Sequence, residues 1–441
     1  MSQNSLPKLS LFPLTTEVDN RGHLYIGGYD SVELVREYGT PLYVFDEFTL
    51  RSKCREFQAE FTKRYPETLI IYASKAFLNR ALALIFKEEG LGLDVVSGGE
   101  LSVAQSVGFP PNKVYFHGNN KTTDELKLAL NWRVSRIVVD NFYELDLVNR
   151  LAEEMEIVQN ILLRLTPGVD PHTHRHTTTG ILDSKFGFPL TTGQADIAVA
   201  QAMSASNLNL LGFHFHLGSP IPEVSPYQLA IDLALRFAKE MKGKRDFHLE
   251  ELSPGGGFAV KYTLDSSTPS IANYAEAIVS KLISTADELR LAYPQLIVEP
   301  GRAIVGQAGV ALYTAGTIKE IPRIRNYVCV DGGIGDNVRP AFYEARYEAL
   351  VANKVSEKES TKVTIAGRYC ESGDILVRDV ALSPVLPGDI IAIPVSGAYS
   401  IPMANNYNMV PKPAIVMVRD GKAHPIRRRE SYQDLMSLDV I

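Results

Sequence analysis

Eight short apolar runs, each separated from the next by a helix-length interval, constrain this chain more than any other feature. They are Leu69–Ala73, Leu93–Val96, Lys113–Phe116, Arg136–Val139, Ile161–Leu165, Leu210–Phe215, Phe247–Leu252 and Leu296–Glu299. Runs of this length bounded by turn residues read as buried strands, and the intervals carry the three-or-four spacing of amphipathic helices. Asp46 caps the first helix, which runs to Tyr65 with Cys54, Phe57, Phe61 and Tyr65 on one face, so Cys54 reads as a core residue. The next helix sets Leu78, Leu82, Ile85 and Phe86 inward and stops at Gly90. Strand–helix alternation makes a parallel sheet, and the count decides its form. Eight strands close a barrel, whereas an open doubly wound sheet stops nearer about six.

After Val305 the texture changes to short β-rich runs with turns between them, at Tyr327–Asp331, Val363–Ala366, Ile375–Arg378, Asp389–Pro394 and Ala414–Val418. The first 45 residues hold only Leu24–Ile26, a short helix pattern at Val32–Tyr38, and Pro41–Phe45, too little for a core of their own. The expected fold is therefore α/β: a (β/α)8 TIM-like barrel over residues 46–305, and a second, all-β domain over 306–441 that the N-terminal segment 1–45 joins. Phe342–Lys358 is charged and loosely periodic, and reads as a surface loop with some helix.

A barrel gathers the residues after its strand ends at one rim, where barrel sites are built. Those residues are Ser74–Lys75, Asp94 with Ser97–Gly99, His117–Asn120, Asp140–Asn141, the Thr166–Lys185 insertion, His216–Ser219, Ser253–Gly257 and Glu299–Arg302. The glycines at 255–257 and at 301 permit close backbone approach, so their N–H groups suit a phosphate, with Ser219 and Arg302 beside them. No GxxxxGK[ST] loop or dinucleotide fingerprint is present. An amine at Lys75, a phosphate cradle, an acid at Glu299 and an imidazole at His216 together suit pyridoxal phosphate. The lysine holds the aldehyde, the carboxylate keeps the pyridine nitrogen protonated, and the imidazole fixes the ring plane.

Other signals exclude function classes. A net charge of -6 gives no basic surface for nucleic acid or anionic membrane. Three cysteines, Cys54, Cys329 and Cys370, make no disulfide framework and favour a reducing compartment. No run reaches the ~18 apolar residues of a membrane span, and Met1–Leu11 lacks the basic and apolar regions of a secretory signal. The expected location is the cytoplasm, or the plastid stroma in a eukaryote that has plastids. His172, His174 and His176 alternate as metal ligands on a strand would, but Pro171 and the following threonines make them a polar lid segment. No metal site is expected.

The combined motifs carry a resemblance. Tyr-Ala-Ser-Lys-Ala around Lys75, Asp-Val-Val-Ser-Gly-Gly-Glu at 94–100, Ser-Lys-Phe-Gly at 184–187, His-Leu-Gly-Ser at 216–219, Gly-Gly-Gly at 255–257 and Glu-Pro-Gly-Arg at 299–302 lie in the barrel region. Asp-Gly-Gly at 331–333, Arg339-Pro340-Ala341 with Tyr343, Cys-Glu-Ser-Gly-Asp at 370–374 and Gly-Ala-Tyr at 397–399 lie beyond it. From Gly39 to about Pro413 the chain resembles the diaminopimelate decarboxylases, in the alanine-racemase-like barrel family that also contains ornithine and arginine decarboxylases.

The resemblance implies decarboxylation of meso-2,6-diaminopimelate to L-lysine, the last step of lysine biosynthesis, by a homodimer with shared sites. Lys75 would carry pyridoxal phosphate, His216 would stack on its ring, Glu299 would pair with the ring nitrogen, and Asp94 would support the lysine side. Ser219, Gly257, Gly301, Arg302 and Tyr399 would surround the phosphate. Arg302, Arg339 and Tyr343 would hold the distal end of the substrate, with Tyr399 near it and Glu371 contributed by the partner subunit. Cys370, also the partner's by this resemblance, stands where the acid that protonates the reacting carbon is expected. Pro220 and Thr177–Thr179 depart from the family pattern, at glutamine and at aliphatic or aromatic residues respectively. The alternatives are a decarboxylase of D-ornithine, D-lysine or carboxynorspermidine, and a non-catalytic regulatory homologue.

Overall fold

The structure is a computed structural model that describes residues 6–170 and 178–440. The three histidines of the proposed lid segment, and Thr177, lie outside the described residues. Two compact units are present: one holds Cys54–Ala259 and Thr268–Gly301, the other the chain up to Lys53, Val260–Ser267, and everything from Arg302 on.

The first unit is a closed barrel of eight parallel strands. In chain order they are Thr68–Ala73, Gly92–Val95, Val114–Phe116, Arg136–Val139, Gln159–Thr166, Leu208–His214, Glu251–Gly255 and Gln295–Val298. Each pairs with its neighbour in sequence, and the last returns to the first through Leu296 opposite Thr68. Closure leaves none of these eight as an edge strand. The interior is plugged by Ile71, Tyr115, Val138, Leu162, Leu211 and Ile297, one residue from each of six strands, so the barrel is a packed core with a usable rim.

The helices between strands start where their caps allow. Asn79, Ser97, Thr122, Asn141 and Ser270 each accept a backbone N–H of their own helix, and Thr122 and Ser270 form reciprocal capping boxes with Glu125 and Asn273. Asp46 caps the helix Glu47–Thr62 through the Thr49 N–H at 2.9 Å, as its position in the sequence predicts. The seventh strand departs from the sequence reading, starting at Glu251 rather than Phe247. Phe247 and Leu249 are buried outside the ladder, and the Phe247 ring packs against Phe213 at 5.1 Å. Their apolarity serves packing, and the shift puts Ser253 inside the strand.

The second unit is built on a mixed sheet. Its order runs Ile375–Leu382, Thr361–Ala366, Arg325–Val330, Gly309–Ile321, Leu42–Asp46, Ala414–Arg419, Lys422–Arg427, with Ile390–Ile393 also paired to Gly309–Ile321. The N-terminal strand Leu42–Asp46, buried at every position, lies in the middle: antiparallel to Gly309–Ile321 and parallel to Ala414–Arg419. The expectation that the N-terminal segment joins the β-domain is met, because Leu24, Ile26, Leu34, Leu42 and Val44 share one core with Val310, Leu312, Ile390 and Val416. Gly27 and Gly28 turn the hairpin between Leu24–Ile26 and Tyr29–Asp30 at φ +59° and +76°, a conformation that strains any residue with a Cβ. The strand Gly309–Ile321 is absent from the apolar runs of the sequence, since its second half is largely exposed and carries Gly316, Lys319 and Glu320. In the charged stretch, Arg339–Tyr343 is a short helix and Leu350–Val351 a short strand.

Candidate active site

The first barrel strand ends at Ala73, and a 3-10 turn, Ser74–Ala76, follows at once. This turn leaves Lys75 exposed between two buried neighbours, so its ammonium is presented while its backbone is fixed. Asp94, in the second strand, and His216, after the sixth, both sit within reach of the Lys75 charge. His216 accepts the Gly256 N–H through Nδ1 at 3.2 Å. Burial, helped by the charges of Lys75 and Arg164, pushes its imidazolium well down, so it presents a neutral ring.

Glu299 follows the eighth strand and is only 4% exposed. Ser253 donates its hydroxyl to Oε1 at 2.7 Å, and His214 Nε2 lies 3.2 Å from Oε2. Burial disfavours the carboxylate, but His214, His117 and Ser253 outweigh it and hold Glu299 well below the usual range. Asp94 goes the other way: burial and the neighbouring Glu299 charge raise it well above its ordinary value, against the pull of Lys75. The two neighbouring acids are thus shifted in opposite directions. The glycines leave no room for side chains. A Cβ at Gly256 would meet Glu299 O at 2.1 Å, and one at Gly257 would meet Gly218 O at 2.4 Å. A Cβ at Gly301 would press on Ala73 and Ala76 beside Lys75 at 3.1 and 3.0 Å. Ser219 is half-buried and ends this run.

The second unit gathers a different set. Arg302 donates to the Tyr262 hydroxyl at 2.7 Å, and its guanidinium lies 4.7 Å from the Tyr399 ring centre. Arg339, 5% exposed, donates to the Tyr347 hydroxyl and lies 4.7 Å from the Tyr262 ring centre. Burial works against the Arg339 charge, but the Tyr262 and Tyr347 oxygens more than offset it and raise the guanidinium further. Burial raises Tyr262 too, yet the two arginines prevail and lower it. Arg302 and Arg339 are thus brought together at Tyr262, with the Tyr399 ring against Arg302. Tyr343, half-buried, closes the same short helix as Arg339. Cys370 and Glu371 are exposed on a loop held by Asn408, which accepts the Cys370 N–H at 3.0 Å, and by Asp374, which accepts the Ile334 and Tyr369 N–H groups at 2.8 Å each.

The sequence reading gives no role to His117, His214, Ser253, Tyr262 or Tyr347. His214 had a signal: it lies two residues before His216 at the end of a strand, hence on the same side as it in an extended chain. Tyr262 and Tyr347 had none, since isolated tyrosines in loops are ordinary.

A closed parallel barrel that presents a lysine, a neutral imidazole and an ionised buried carboxylate at one rim is a scaffold for pyridoxal chemistry, and the comparisons agree. Residues 49–306 match the pyridoxal-binding domain model of the pyridoxal-dependent decarboxylases. The chain is 44% identical over 426 residues to the diaminopimelate decarboxylase of Bacillus subtilis, covering 97% of both chains. It superposes on the crystal structure of the diaminopimelate decarboxylase of M. jannaschii in complex with L-lysine with a TM-score of 0.92, at 35% identity and 99% coverage of both. The Helicobacter pylori diaminopimelate decarboxylase complexed with L-lysine gives 0.85 at 30% identity, over 92% of this chain and 98% of that one. The chain belongs to the pyridoxal-dependent decarboxylases and, among them, to the diaminopimelate decarboxylase family. Among the described residues, no helix is long and apolar enough to cross a membrane.

Proposed function

We propose that the protein decarboxylates meso-2,6-diaminopimelate to L-lysine and carbon dioxide, with pyridoxal 5'-phosphate as cofactor. The observation that carries this is Glu299, buried and held on both oxygens by His214 and Ser253, at the same rim as Lys75 and His216. The residues fit the cofactor by their chemistry: an exposed amine for its aldehyde, an anion for its ring nitrogen and a flat neutral ring for its face. Gly257, Gly301, Ser219, Arg302 and Tyr399 are assigned to its phosphate, and Asp94 to the lysine side. When bound, pyridoxal phosphate supplies the electron sink that accepts the pair left on the α-carbon as carbon dioxide departs.

The chain's own residues do the rest. Lys75 would hold the cofactor through its side-chain amine. Glu299 would face the ring nitrogen, and His216 would lie against the ring and fix its plane. Arg339, assisted by Arg302 and Tyr343, binds the distal carboxylate that must not be lost. This is supported by the setting of Arg339, whose guanidinium meets phenols and aromatic faces rather than a carboxylate among the described residues. Cys370 donates the proton to the carbon that lost carbon dioxide, and Glu371 holds the distal amine. Both act across a homodimer, from the exposed loop of the other subunit. A chain with only three cysteines suits a reducing cytoplasm.

The test is carbon dioxide release by the cofactor-loaded protein on meso- and LL-diaminopimelate, L- and D-ornithine, L- and D-lysine, L-arginine and carboxynorspermidine. Release from the meso isomer, with L-lysine as product, is the expected outcome. Preferential release from a substrate without a distal carboxylate would overturn the assignment of Arg339, and no release at all would leave a non-catalytic homologue.

A further inference from the structure

The floor of the barrel mouth holds more titratable groups than the reaction above uses. His214 is 1% exposed and His117 5%. Both oxygens of Glu299 are engaged from within the barrel, Oε2 by His214 and Oε1 by Ser253. His117 Nε2 stands 3.7 Å from Glu299 Oε1 and 3.7 Å from Asp94 Oδ1. That nitrogen and Asp94 Oδ1 are buried without a hydrogen-bond partner. The two imidazoles meet edge to face with centres 4.8 Å apart. A carboxylate gripped on both oxygens has its plane fixed before any ligand arrives.

The tautomer follows from the same contacts. Nδ1 of His214 is buried and without a partner, while Nε2 faces a carboxylate. The neutral ring therefore carries its proton on Nε2, because the other tautomer would oppose a nitrogen lone pair to an anion. We propose that His214 is a positioning residue that, together with Ser253, holds Glu299 as an oriented anion for the cofactor's ring nitrogen, with His117 as the neutral spacer between Glu299 and Asp94. This rests on the reading of Glu299 as the partner of that nitrogen.

A neutral donor is what the task requires. A protonated His214 would pair with Glu299 as a full ion and compete with the ring nitrogen, whereas a neutral N–H orients the carboxylate and leaves its charge available. Burial keeps both histidines on the neutral side, although the Glu299 charge pulls each upward. Asp94, Arg164, Lys75, Lys121, Glu100 and His216 are further charged or titratable groups that act on this set. Burial and the Glu299 charge both raise Asp94, which favours a single carboxylate anion in the floor, on Glu299.

The experiment uses the full-length protein stripped of cofactor and titrated with pyridoxal phosphate, in the wild type and in His214→Gln, His214→Leu and Ser253→Ala. Glutamine keeps an N–H near the position of Nε2; leucine removes it. Cofactor affinity, the nitrogen-15 shift of ring-labelled pyridoxal phosphate across pH, and the separate kcat and KM values are the readouts. His214→Leu is expected to lose at least tenfold in cofactor affinity and to show a deprotonated ring nitrogen near neutral pH. Its kcat falls while KM stays within about twofold. His214→Gln restores affinity and ring protonation to within about threefold of wild type. Equal losses in the leucine and glutamine variants would show a packing role and overturn the proposal, as would a ring nitrogen that stays protonated in both. If the leucine variant does not fold, Ser253→Ala decides: a shift in the same direction supports the proposal, and none overturns it. An unprotonated ring nitrogen in the wild type would instead sink the reading of Glu299 on which the proposal stands.

Discussion

Replacing Arg339 with methionine separates substrate recognition from cofactor binding. Methionine keeps much of the apolar stem that packs against Tyr262 and Tyr347, so the main change is the loss of the guanidinium charge. In the complex the distal carboxylate would then be buried beside phenols without the Arg339 cation, leaving only the assisting Arg302. Removing one partner of a buried ion pair costs about 3–5 kcal/mol, which is roughly two to three and a half powers of ten in kcat/KM. Cofactor affinity should stay within about threefold, because the groups assigned to the ring lie in the barrel. The assay is steady-state kinetics on meso-diaminopimelate beside a pyridoxal phosphate titration and a melting curve. Tyr347→Phe serves as the graded control. It removes one acceptor from the guanidinium, with an expected loss of about tenfold, in keeping with a single hydrogen bond to a charged group. Parallel losses of catalytic efficiency and cofactor affinity in Arg339→Met would refute the reasoning, as would kinetics unchanged from wild type.

Further outcomes follow from the same geometry. Cofactor-loaded protein should show a yellow absorption band that borohydride bleaches, and Lys75→Ala should lack it; persistence of the band in that variant would remove Lys75 from its role. Glu299 has a lowered folded-state value, so its contribution to stability is present above the ordinary glutamate range, near about 4.3, and is lost as pH falls below it. The melting difference between cofactor-free wild type and Glu299→Gln should therefore be flat above about pH 5 and shrink in acid, and a constant difference would count against an ionised Glu299. Asp336 behaves oppositely. It is buried, accepts from the Tyr43 and Tyr313 hydroxyls at 3.0 and 2.5 Å, and burial raises it to about 6. Its stabilisation is complete below the unfolded value and fades as pH rises through about 6. Asp336→Asn should thus gain up to about 3 kcal/mol relative to wild type between pH 4 and 8, measured by denaturant unfolding of the cofactor-free protein.

Much of the barrel was legible because each of its elements is local. A strand buried on both faces and an amphipathic helix leave their period in the sequence, and the cap Asp46 marks where the first barrel helix begins. The rim residues then followed from the count of strands. Where local pattern and packing disagree, the reading slipped. Phe247 and Leu249 look like a strand but serve as packing, and the long strand Gly309–Ile321 hides behind an exposed, charged second half.

The sequence by itself determined the alternation that closes the barrel, the N-terminal strands that need a later partner, and the lysine, imidazole, acid and glycines that follow the strand ends. Those are properties of neighbours along the chain. Only the tertiary structure decided how the charges around them are shared. His214 and Glu299 are 85 residues apart in sequence and 3.2 Å apart in space, while His117 approaches both Asp94 and Glu299 from a third strand end. The arginines at 302 and 339 meet one tyrosine, Tyr262, that nothing in the sequence marks. Charge states depend on burial and on distance, and both are set by which remote segments the closed fold brings together.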